Sequence, residues 1–193
     1  DKKIVVLDGV QYKYAENGTC ISKTSYKENV KEGLWQTWFS NGELNTETSY
    51  CNGLRCQTAK NWDIKGNLIN ETKYAIVNNR SLLTENRKYQ NGMLSKLNVY
   101  NDVGAQFKVF NYYETESIKN AQVYLSNHKS FSQTVIQRSL KFYSNGNVKL
   151  DAFYIGQMTG VQFEYYFDGS PKSLKNNSYQ DSENSFVITW DPA

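Results

Sequence analysis

The chain has 193 residues and a formal charge of +3, with 22 Lys and Arg scattered against 19 Asp and Glu, so it lacks the basic block that a nucleic-acid or heparin surface needs. Leu and Ile are sparse beside 15 Tyr, 9 Phe and 4 Trp, so any core is built largely from rings, a composition that suits sheets better than helices. No apolar run approaches the ~18 residues of a membrane-crossing helix, and the opening Asp1-Lys2-Lys3-Ile4-Val5-Val6-Leu7 is too short for an intact signal peptide. The chain as given is expected to be soluble, with a removed leader or lipid anchor left open.

The first apolar stretch, from Ile4, reads as a capping strand near 4–14. After it a repeat sets in, framed by Gly18, Gly42, Gly66, Gly92, Gly146 and Gly169, most of them preceded by Asn. Asn-Gly is a strong hairpin signal, because a type I′ turn needs positive φ at both central residues. Eight residues after the glycine stands a tyrosine in most units: Tyr26, Tyr50, Tyr74, Tyr100 and Tyr154. A disguised unit fits between Gly92 and Gly146, with Glu116 in the glycine place, then Ile118 and Tyr124.

Two residues after the turn the column reads Cys20, Leu44, Leu68, Leu94, Ile118 and Val148, with Pro171 departing from it. Four residues before the turn it reads Tyr14, Trp38, Trp62, Lys88, Tyr112, Phe142 and Tyr165. Strand alternation puts Leu44, Thr46, Thr48 and Tyr50 on one half-buried face. A two-residue turn at Asn41-Gly42 would set Phe39 across from Leu44, whereas a longer loop would shift that pairing. Lys31 to Gly33, and Met158-Thr159-Gly160, are read as the return turns between units.

The segments near 76–87, with Asn78-Asn79-Arg80, and near 125–138, with His128, break the period and read as irregular insertions. Phe186-Val187-Ile188-Thr189-Trp190 closes the array as a second capping strand near 186–190. The expected fold is all-β: an elongated single-layer antiparallel sheet of about seven hairpins of roughly two dozen residues, one domain over residues 1–193.

The three cysteines allow one intrachain bridge at most. Cys51 and Cys56 flank the turn-like Asn52-Gly53-Leu54-Arg55, where a bridge would indicate an oxidising compartment, and free thiols would leave the cytoplasm equally open. With one histidine, the four ligands of a structural zinc are not evident, and neither a metal nor a cofactor is expected.

His128 lies in a polar stretch without a nucleophile motif and reads as a solvated loop residue rather than a general base. Paired carboxylates such as Glu43 and Glu47 read as a solvated strand face rather than a glycosidase pair. No catalytic constellation emerges, so a non-enzymatic protein is expected. Trp35, Trp38, Trp62, Tyr112, Phe142 and Tyr165 are open to two readings, a stacking ladder for nucleic acid or sugar, or a packed core and protein interface. The small net charge favours the second.

Glu32-Gly33-Leu34-Trp35-Gln36-Thr37-Trp38-Phe39-Ser40-Asn41-Gly42 and Thr159-Gly160-Val161-Gln162-Phe163-Glu164-Tyr165-Tyr166-Phe167-Asp168-Gly169 resemble the bacterial variant of MORN repeats, glycine, then a ring pair, then a turn glycine. The resemblance is clearest over residues 10–110 and 139–170; Lys88 and Glu116 depart from it. It implies a bacterial protein-binding repeat protein. Its leading form is an immunity or antitoxin protein that occludes a cognate toxin or secreted effector, phospholipases among them, in the periplasm or envelope. The alternative it implies is an envelope-associated scaffold or lipoprotein that holds proteins or touches lipid head groups. In the first reading the contact residues are expected among Trp35, Trp38, Trp62, Arg80, Tyr112, His128 and Tyr165.

Overall fold

The computed structural model describes residues 6–115, 117–126, 134–155, 158–177 and 185–190. They are all-β, an open antiparallel sheet of sixteen strands without a helix. The chain divides into two compact units, residues 1–92 with 102–104 and residues 93–101 with 105–193.

The first unit holds β1 (Gly9–Tyr14), β2 (Cys20–Lys27), β3 (Val30–Lys31), β4 (Gly33–Trp38), β5 (Leu44–Cys51), β6 (Leu54–Trp62), β7 (Leu68–Val77) and β8 (Arg80–Gln90). They pair in chain order, with two-residue β3 lying beside β2 off that path. The second unit holds β9 (Met93–Tyr100), β10 (Gln106–Tyr112), β11 (Ile118–Ser126), β12 (Thr134–Phe142), β13 (Val148–Ile155), β14 (Met158–Tyr165), β15 (Pro171–Asn176) and β16 (Phe186–Thr189), again a meander.

Two turn types alternate along the first unit as far as Asn78-Asn79, after which Asn91-Gly92 is a second tight turn in succession. At Gly18, Gly42 and Gly66 only the glycine has positive φ, at 81°, 89° and 82°. Each glycine N–H donates to the carbonyl three residues before it at 3.0 Å, and that residue's N–H donates to the carbonyl just past the glycine at 2.8–2.9 Å. This is a type I turn closed by a left-handed glycine, not a type I′ turn. Asn precedes the glycine for its side chain: Asn17 and Asn41 Oδ1 accept the N–H two residues on, at 3.0 and 3.1 Å.

The tight turns lie at Glu28-Asn29, Asn52-Gly53, Asn78-Asn79 and Asn91-Gly92, where both residues have positive φ. The return expected at Lys31–Gly33 is therefore at Glu28-Asn29, and Lys31 is paired with Tyr26. Met158-Thr159-Gly160 likewise belongs to β14.

The longer glycine loop also moves the pairing across it. Trp38, not Phe39, faces Leu44, with a register shift just before it. The same pair and shift recur as Tyr14 with Cys20, Trp62 with Leu68, Tyr112 with Ile118, Phe142 with Val148 and Tyr165 with Pro171. Two sequence columns, four residues before and two after the turn, are thus one cross-strand pair.

The stretch at 76–87 is no insertion. It belongs to a hairpin paired from Val77 with Arg80 to Asn70 with Lys88, with one register shift. Its turn is Asn78-Asn79, at φ 49° and 57°, a tight turn made without glycine. Of the other break, β11 and β12 occupy both flanks, and residues 127–133 lie outside the described residues, as does Glu116.

No large side chain among the described residues is fully buried. The most covered apolar ones, Cys56, Ala59, Val109, Ala121 and Ala152, are small and sit mid-strand, as do Thr72, Asn98, Ser139 and Ser173. Both faces of each strand keep contact with water, so cross-strand neighbours within the layer, rather than a second layer, provide the packing.

In the second unit tyrosines tie consecutive hairpins together. Tyr113 and Tyr143 hydroxyls donate to the Phe142 and Tyr165 carbonyls, each at 2.9 Å, and Tyr166 donates to the Trp190 carbonyl at 3.2 Å. The corresponding residues in the first unit are Ala15, Phe39 and Asp63, which have no hydroxyl. Asn41 Nδ2 crosses there to the Ile64 carbonyl at 2.9 Å, as Asn145 Nδ2 does to the Phe167 carbonyl in the second unit.

Candidate functional site

Strand alternation gives the first unit two chemically distinct faces. One carries Glu71, Glu85, Lys60, Lys73 and Arg87, tied into a network with contacts of 2.7–3.8 Å. Tyr89 donates to Glu71 Oε2 at 3.3 Å; burial, with the Glu71 charge, pushes its hydroxyl up. The cations there are neutralised within the sheet.

The other face holds an open groove of about 480 Å³. Its floor is neutral and polar, with Thr46, Thr48, Asn61, Asn70 and Thr72 among its lining residues. Thr37 and Thr46 hydroxyls meet at 2.7 Å, and Thr72 Oγ1 donates to the Ala59 carbonyl at 3.2 Å.

One end of this groove is aromatic. The Trp35 ring meets Tyr26 edge-on at 5.1 Å and Tyr50 at 5.1 Å, and its Nε1 donates to the Ser25 carbonyl at 2.8 Å. A fixed indole is what an interface anchor requires. Lys31 Nζ lies 4.4 Å from the centre of Trp35 and 5.0 Å from that of Tyr50. Arg55 is paired with Tyr50 across the β5–β6 ladder. Its Nη1 donates to Tyr74 Oη at 3.4 Å, and its Cζ lies 6.0 Å from that ring. Hydrogen bonding to Tyr50 and Tyr74 raises the guanidinium further above its ordinary value.

Local sequence explains the arrangement. The type I′ turn at Asn52-Gly53 sets Cys51 against Leu54 and therefore Tyr50 against Arg55. Cys51 and Cys56 form a disulfide with Cα atoms 5.8 Å apart, bridging diagonally, since Leu54 rather than Cys56 faces Cys51. Both cysteines alternate away from Tyr50 and Arg55, so the bridge closes the hairpin from behind the groove. Cys20 is a free thiol.

Of the residues expected from sequence, only Trp35 stands in this cluster. Trp38 and Trp62 face Leu44 and Leu68 beside the glycine loops. Arg80 is exposed at the Asn78-Asn79 turn, paired with Val77. Tyr112 and Tyr165 belong to the second unit, in the same ladder position as the two tryptophans. His128 lies outside the described residues. Lys31, Tyr50, Arg55 and Tyr74 were missed. The tyrosines were visible as a column; the cations gain meaning only from register. Among the described residues, no three His, Cys, Asp or Glu side chains converge as metal ligands would.

A family model described as "MORN repeat variant" matches residues 31–52, the stretch from Lys31 through Trp35 and Tyr50. A repeat of this kind is typically non-catalytic and points to a binding role. No curated protein matches the chain. Among solved structures, it is similar to a chain in "Crystal Structure of TcdB2-TccC3-TEV" at 15% identity and a TM-score of 0.20, over 90% of this chain and 12% of that one.

Proposed function

We propose that this chain is a protein-binding repeat module whose contact surface is the aromatic end of the first unit's groove. The observation that carries the reading is the cluster of Tyr26, Trp35 and Tyr50 with Arg55, residue types that dominate interface energetics, flanked by Lys31. In its sharper form the module is a bacterial immunity or antitoxin protein. It occludes a cognate toxin or secreted effector, for which a phospholipase is the first candidate, and performs no chemistry itself. The Cys51–Cys56 bridge supports a periplasmic or envelope location.

Affinity capture from the native cells, with mass spectrometry of what co-purifies, tests this reading. A single stoichiometric partner whose hydrolytic or toxic activity falls on adding the chain is the expected result, and Trp35→Ala should lose that partner while remaining folded. Recovery of envelope components, unaffected by Trp35→Ala, would overturn it.

A scaffold that touches lipid head groups is favoured by one observation in the second unit. Lys119, Lys149 and Lys172 are exposed, each with its Nζ 5.4–5.7 Å from the centre of a tyrosine ring, Tyr113, Tyr143 or Tyr166. Flotation with anionic liposomes separates the two readings, since an immunity protein should stay behind.

A further inference from the structure

We infer that the Lys31–Tyr50–Arg55 end of the groove is an anion subsite that receives an acidic side chain from an extended segment of the partner protein. The inference rests on the groove being the partner surface, and goes beyond it by naming what the partner presents.

The first argument is the distribution of charge. On the opposite face of the same unit Lys60, Lys73 and Arg87 are all bonded to Glu71 or Glu85. On the groove face, among the described residues, neither Lys31 nor Arg55 forms a salt bridge, and the groove lining contains no carboxylate. Both are held by rings and phenols instead. Aromatic faces position a cation without neutralising it, so an arriving carboxylate gains charge-assisted hydrogen bonds without displacing an internal acid.

The second argument is the character of the floor. Thr46, Thr48, Asn61 and Asn70 offer neutral donors and acceptors along the strands, which match the amides of an extended backbone. Two cations flanking one ring suit one or two carboxylates. A polyanion with a charge every few ångströms would call for a longer basic row.

The test uses the intact chain and follows the Trp35 indole N–H resonance, because that group is fixed beside Lys31 and its ring meets Tyr50, the strand partner of Arg55. The probes are a short acetylated Glu-Ser repeat peptide, its Gln-for-Glu counterpart, and heparin. The Glu peptide should shift the Trp35 resonance saturably, and the Gln peptide should not. Lys31→Gln and Arg55→Gln should each weaken the Glu peptide about tenfold, as loss of one charge-assisted bond implies, with the remaining amide spectrum unchanged as the folding control.

Absence of a shift, or an affinity unchanged from the native chain in both variants, would overturn the subsite. Tighter binding of heparin than of the Glu peptide, dependent on the same two residues, would overturn the peptide assignment in favour of a polyanion. Partner capture separates the two levels. Loss with Trp35→Ala but not with the Gln variants removes only the subsite, whereas capture indifferent to all three removes the groove reading as well.

Discussion

Asp168 has the turn place that Asn17, Asn41 and Asn145 hold in other hairpins, and its carboxylate accepts the Ser170 N–H at 2.8 Å and hydroxyl at 2.6 Å. Asp63, three residues before Gly66, supplies the acceptor that Lys65 cannot, taking the N–H groups of Lys65 and Asn67 at 2.9 Å each. Hydrogen bonds from the Asn67 side chain and backbone hold the Asp63 carboxyl below the usual range, and those from Ser170 do the same for Asp168. A carboxyl lowered in the folded state stabilises fully above its unfolded value, near 3.9. That contribution is lost as pH falls through the lower folded value. The thermal midpoint should therefore be insensitive to these groups from about pH 5 to 8 and fall in acid. Asp63→Asn with Asp168→Asn should flatten the acid limb, because Asn already makes the contact of Asp168 at Asn17 and Asn41, and that of Asp63 at Asn101, whose Oδ1 accepts the Ala105 N–H at 2.9 Å. An unchanged limb, followed by circular dichroism, would assign the acid loss to other carboxylates.

At the scale of the hairpin, the β5–β6 element is held by a type I′ turn and by the Cys51–Cys56 bridge, which together fix Arg55 against Tyr50. Cross-linking a loop this short restricts the unfolded chain by about 2 kcal/mol. Cys51→Ser with Cys56→Ser should lower unfolding stability by roughly that amount in urea titration, with little change in m. Reduction of the native chain should do the same and leave the double variant unaffected. The bridging partners, the strand pattern and the tyrosine column were legible in the sequence. The pairing across the glycine loops was not, because Asn-Gly serves two turns, and only the φ of Asn41 or of Asn52 tells them apart. That ambiguity set Phe39, rather than Trp38, across from Leu44. It also hid the site: Trp35 was visible as a ring, but Lys31 and Arg55 become site residues only once Glu28-Asn29 and Asn52-Gly53 are the tight turns. Asn78-Asn79 was misread for a related reason, since a turn without glycine carries no glycine signal.

At the scale of the whole molecule, the stability of each unit has to come from neighbour-to-neighbour contacts along a layer rather than from a covered interior. Apolar residues that a two-layer protein would cover stay in contact with water, as Ile64, Phe167 and Val187 do at 55%, 57% and 61% exposure. The residues that are covered are chiefly alanines and small polar groups. Backbone ladders, ring pairs and the tyrosine-to-carbonyl ties make up the difference. This arrangement has a thermodynamic signature. Newly exposed apolar surface raises the heat capacity on unfolding and newly exposed peptide surface lowers it. A chain that buries little apolar area while satisfying its backbone should therefore unfold with a heat-capacity increment per residue below the ~12–15 cal/mol/K of ordinary globular domains. Scanning calorimetry at several pH values, plotting unfolding enthalpy against midpoint temperature, measures that slope. A value within the ordinary range would mean that the sheet faces are covered in solution. Sedimentation at the same concentration would then show self-association, and a strictly monomeric chain with an ordinary increment would refute the single-layer account.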